Sequence, residues 1–181
     1  IRDALSITHG QFGSIYASAT LLSSFILVWV GKKIDDFNIL KFASYVIALL
    51  AISCFLFSKI SSVAFLFLSI FLMRLSGQGL MSHTATTTIS RFFEKTRGRA
   101  LSITWLGLSL AEFILPLLII FLLTFVDWRN IWIVISIFVI AVLPIITFSL
   151  VKNIKLDSRE TVNLNDVKTK EIKQWKRSEV L

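Results

Sequence analysis

The sequence predicts an all-α, polytopic transmembrane helix bundle, and three observations predict it. Of 181 residues, 55% are hydrophobic and only 17% charged, with 16 Phe and a mean hydropathy of +0.79; a soluble domain of this size needs more charge to cover its surface. Residues 11–30, 42–58, 60–73 continuing past Arg74, and 130–151 carry no ionisable acid or base, while 100–126 is broken only by Glu112. Each stretch can cross a hydrocarbon core of roughly 30 Å as a helix rising about 1.5 Å per residue. Finally, the basic residues fall almost entirely in alternate connections between these stretches.

The expected spans are about 11–30, 39–58, 61–90, 100–126 and 130–151, forming one transmembrane unit over 1–151. The chain opens on Ile1, and IRDALSITHGQ has no signal-peptide architecture, so the sequence is expected to be truncated at its front. Cys54, the one cysteine, excludes an internal disulfide and reads as a small residue facing lipid or another helix. In the fourth stretch, Pro116 removes a backbone hydrogen bond at the carbonyl of Glu112 and predicts a kink there; Pro144 in the fifth carries no assigned role. Trp29, Trp105, Trp128 and Trp132 lie near span ends, where interfacial anchoring is their default task. Residues 152–181 are polar, with eight Lys or Arg against five Asp or Glu, and read as a solvated cytoplasmic linker.

Translocated loops exclude positive charge, which gives the sidedness. Lys32, Lys33 and Lys41 follow the first span, Arg91, Lys95, Arg97 and Arg99 follow the third, and eight more follow the fifth, whereas the opposite side holds Arg2, Lys59 and Arg129. The GKKIDD loop, the FFEKTRGR loop and the tail are therefore expected in the cytoplasm, in a multi-pass protein of the inner or plasma membrane. The net charge of +8 reads as topology and contact with the lipid surface, not nucleic-acid binding.

Arg74 stands out because a guanidinium in a bilayer core costs at least about 2.5 to 3.5 kcal/mol unless it faces a partner or a wet cavity. At 100° per residue, Gln78, Met81 and Ala85 fall within about 40° of it, flanked by Gly77 and Thr88, whereas His83 falls about 180° away with Ser76, Gly79 and Thr87. The helix is thus expected to carry a polar cationic stripe and a separate small-residue stripe suited to close packing. Arg74 and Glu112 both lie near the midplane. Either Arg74 binds an anionic substrate while Glu112 works as a proton-linked switch, or the two neutralise each other across adjacent helices. His83 is a candidate proton-linked residue, weighed against a hydrogen-bonded packing role.

Several motifs resemble the major facilitator superfamily of secondary transporters, over nearly the whole chain. GKKIDDFN supplies Gly31 and Asp35 of the family's loop after its second helix, with Asp36 and Asn38 departing from its usual basic and glycine residues. Arg74, Gly77, Gln78 and Gly79 are similar to an arginine and glycine-rich turn of the fourth helix, RFFEKTRGRA to the following loop, and DWRNIW to the outer turn between helices five and six. The resemblance implies helices two to six of an amino-terminal bundle, with the first helix and the carboxy-terminal bundle missing. It also implies alternating access, in which Asp35 and Gly31, with Arg91 or Arg97, form a cytoplasmic gate.

No phosphate loop, metal-spaced Cys or His cluster, or nucleophile turn is present. The reading is therefore a non-enzymatic transporter without cofactor or metal, whose partners are the bilayer, a small solute and protons. A midplane cation points to an organic anion such as a monocarboxylate, with Arg74, Gln78 and Glu112 as substrate or coupling residues. Drug efflux by the same superfamily, or a non-transporting membrane scaffold, are the alternatives.

Overall fold

A computed structural model describes residues 2–35, 37–93 and 96–153. Five helices are long and apolar enough to cross a membrane: His9–Lys32, Ile39–Ser58, Val63–Phe92, Arg97–Leu123 and a fifth running Trp128–Asn153. They are called the first to fifth spans below. No strand occurs among the described residues, as expected where lipid offers no partner for backbone polar groups and a helix satisfies its own. Residues 154–181, most of the expected linker, lie outside the described residues.

The span starts have local chemical causes. Thr8 and Gln11 form a reciprocal capping box at the first, with Thr8 N–H donating to Gln11 Oε1 at 2.9 Å and Gln11 N–H to Thr8 Oγ1 at 3.2 Å. Asn38 Oδ1 accepts from Leu40 N–H at 2.9 Å at the second, and Ser62 Oγ accepts from Phe65 N–H at 3.3 Å at the third. Asp127 Oδ2 accepts from Arg129 N–H at 3.1 Å at the fifth. Each bond satisfies a donor that helix geometry leaves orphaned.

Packing order differs from chain order. The third span lies against both the first and the second, and the second packs along the fifth, giving a row of first, third, second and fifth. Ala19, Phe57, Ile60, Leu66 and Ile70 form a core toward one end, with Trp128 and Trp132 against it. Ile34, Phe42, Val46, Leu75 and Leu80 form another, and Ile47, Ala51 and Val139 join the second span to the fifth. Small hydroxyl residues close these contacts: Ser53 and Ser76 are fully buried with their oxygens 3.4 Å apart, and Ser136 donates to the Ala51 carbonyl at 2.7 Å.

Arg129 ties the fifth span to the far end of the second. Its Nη1 and Nη2 donate to the carbonyls of Ser58 and Ile60, each at 3.0 Å, and its guanidinium carbon sits 4.6 Å from the Trp128 ring centroid. A cation there answers the unsatisfied carbonyls of a helix C-terminus. The fourth span buries no residue and meets its neighbours in few places. Its helix continues through Pro116.

Candidate functional site

The third span changes winding midway. Residues Arg74–Met81, RLSGQGLM, form a π-helical segment between α-helical halves Val63–Met73 and Ser82–Phe92. Such i→i+5 segments are rare and recur at functional sites. Glycine makes the close approach here feasible. A Cβ on Gly79 would lie 3.2 and 3.3 Å from the δ carbons of Leu27 and 3.4 Å from the Arg74 carbonyl oxygen.

This winding overturns the expected stripes. A π turn holds roughly 4.4 residues, or about 80° each, so the seven π steps and two α steps from Arg74 to His83 complete a little over two turns. The two side chains, expected on opposite faces, both reach the first span. Arg74 Nε donates to Thr20 Oγ1 at 3.1 Å, and His83 Nε2 lies 3.2 Å from the Gly31 carbonyl oxygen. Since a carbonyl only accepts, that nitrogen carries the proton. Gly79, also expected on the far stripe, instead lines a cavity with Arg74. Met81, expected on the Arg74 stripe, turns into the apolar cluster of Ile47, Ala51 and Val139.

The cavity has a volume of ≈ 210 Å³ and is lined by Thr20, Ser23, Ser24 and Leu27 of the first span and by Arg74, Gln78 and Gly79 of the third. Arg74 is half-buried. Its guanidinium carbon is 4.8 Å from the Tyr16 ring centroid, within cation–π range. No carboxylate pairs with it among the described residues; its partners are the Thr20 hydroxyl and the Tyr16 ring. Arg74 and Gln78 are therefore brought together, and the cavity is polar on both sides.

Glu112 is elsewhere. It sits exposed on the fourth span, beside exposed Leu110 and Phe113, and the expected neutralisation of Arg74 by Glu112 does not form. The reason is packing: the π segment aims Arg74 at the first span, and the fourth span does not pack along that face. Gly31 is buried at the end of the first span, where His83 covers it. Arg97 is exposed at the start of the fourth span and Arg91 near the end of the third. Asp35 closes a short 3-10 turn, Lys33–Asp35. The latch expected from its side chain to Arg91 or Arg97 lies outside the described residues, as do Asp36, Glu94 and Lys95.

Sequence reasoning missed Tyr16, Thr20, Ser23 and Ser24. A signal was present: Tyr16, Thr20, Ser23, Ser24, Leu27 and Gly31 recur at spacings of three and four, one face of an α-helix. That face is weakly polar, which hydropathy averaging hides.

No curated protein and no solved structure matches the chain. The family profile described as Major Facilitator Superfamily matches residues 1–180. With five apolar spans, a polar cavity between two of them and a profile covering almost every residue, the chain belongs to the Major Facilitator Superfamily of membrane transporters.

Proposed function

We propose that these spans belong to a secondary active transporter that moves a small organic anion, of the monocarboxylate class, by alternating access coupled to a proton. The observation that carries this reading is Arg74, a permanently charged group beside a polar cavity with no carboxylate to neutralise it among the described residues. A cation held inside a membrane protein without a counter-ion is a site prepared for an anion, because the desolvation it suffers is offset when the anion binds. Gln78, exposed on the cavity wall, adds a neutral donor and acceptor for orientation.

Glu112 is the only Asp or Glu within the five spans and takes the proton-linked role, with His83 as the second titratable group on the transport path. The contact between His83 and Gly31 forms part of the gate at the end where the basic loops lie. The positive-inside rule makes that end cytoplasmic. The separation of Glu112 from Arg74 supports two sites, one for solute and one for the proton.

The test is uptake by the full-length protein in proteoliposomes, using a panel of small carboxylates under an imposed pH gradient. One carboxylate should accumulate, Arg74→Ala should abolish its uptake with insertion intact, and Glu112→Gln should uncouple accumulation from the gradient. Equal uptake by Arg74→Ala would end the anion reading, and a protein that moves no solute would favour the scaffold alternative.

A further inference from the structure

The first span does more than border the cavity: it fixes how Arg74 can meet a ligand. Thr20 Oγ1 donates its single proton to the Tyr16 carbonyl at 2.7 Å and accepts from Arg74 Nε at 3.1 Å. With that proton committed, the oxygen presents a lone pair to the guanidinium and nothing else. One helical turn earlier, the Tyr16 ring covers a face of the same guanidinium at 4.8 Å. One edge and one face of Arg74 are thus occupied by residues of the first span.

A guanidinium offers a two-oxygen acceptor two forks, one made by Nε with a terminal nitrogen and one made by the two terminal nitrogens. Thr20 takes Nε and closes the first fork. Nη1 and Nη2 have no partner among the described residues, and Arg74 lines the cavity with Ser24 and Gln78. We propose that Thr20 and Tyr16 are positioning residues that turn Arg74 into an end-on receptor for a planar carboxylate, held by Nη1 and Nη2, and so set carboxylate over sulfonate selectivity. This rests on the anion-transport reading above. Two acceptor oxygens match the two free nitrogens of the fork. A sulfonate brings a third oxygen into the site, and the Nε–H that would serve it is already held by Thr20.

The experiment measures uptake kinetics of the full-length protein in proteoliposomes for one transported carboxylate and its sulfonate analogue. Thr20→Val keeps the shape and removes the acceptor. It should raise KM for the carboxylate roughly tenfold, the scale of one hydrogen bond to a charged group, with the maximal rate kept. The preference for carboxylate over sulfonate should shrink in the same variant, and Thr20→Ser, which keeps the hydroxyl, should restore both. If Thr20→Val fails to insert, Thr20→Ala removes the same acceptor and carries the same expectation, whereas Tyr16→Leu, which uncovers the guanidinium but leaves Nε on Thr20, should raise KM with the selectivity kept. Wild-type KM and selectivity in the inserted variant, with Arg74→Ala still inactive, would overturn the positioning role and leave the carrier reading standing. Full uptake by Arg74→Ala would overturn both.

Discussion

Replacing Arg129 by alanine should unfasten the second span from the fifth. The side chain donates two charge-assisted hydrogen bonds, each 3.0 Å, to the carbonyls of Ser58 and Ile60. Both acceptor residues are 1% exposed, so water cannot readily replace the lost donors. Orphaning a buried acceptor costs about 1 to 3 kcal/mol, and a cation–π contact adds about 0.5 to 1 kcal/mol. For two acceptors the total is therefore about 2.5 to 7 kcal/mol, equivalent to a fall of at least roughly 5 °C in Tm for a chain of this size. Arg129→Lys should recover less than half, because an ammonium is a point charge without the planar fork that spans two carbonyls. The assay is reversible unfolding of the full-length protein in mixed micelles, followed by tryptophan fluorescence, since Trp128 and Trp132 report this corner. A loss under about 1 kcal/mol for alanine would refute the reasoning, showing that the two carbonyls find other donors.

Two further outcomes follow from the same packing. Gly79→Leu places its Cβ 3.2 Å from Leu27 and its remaining atoms between the first and third spans, which should destabilise the protein by about 1 to 3 kcal/mol and reduce carboxylate uptake; wild-type stability and uptake would show that the π segment can move aside. Cys54 is 3% exposed, so a membrane-permeant maleimide should label it only after denaturation in SDS, and stoichiometric labelling of the native protein would contradict its placement in the core.

The class of the protein and the presence of its helices were legible in composition and spacing alone. Long apolar runs favour a helix in lipid, because a helix satisfies its own backbone, whereas the caps at Thr8, Asn38 and Ser62 that fix three of the starts came from the folded chain. Arg74 and Glu112 were legible as anomalies because an ionised group in an apolar run is conspicuous in one dimension. What they face was not. A helix that is apolar all round has no amphipathic direction to reveal its neighbours, so the pairing of the second span with the fifth, and the isolation of the fourth, had to come from side-chain fit. The wheel failed for His83 and Gly79 for a more specific reason. It assumes 3.6 residues per turn, whereas RLSGQGLM winds as a π segment that places Arg74 on Thr20 and His83 on Gly31. Within that segment Gly79 lies close to Leu27 and Gly77 close to Leu50, and such approaches between helices exist only in the folded bundle.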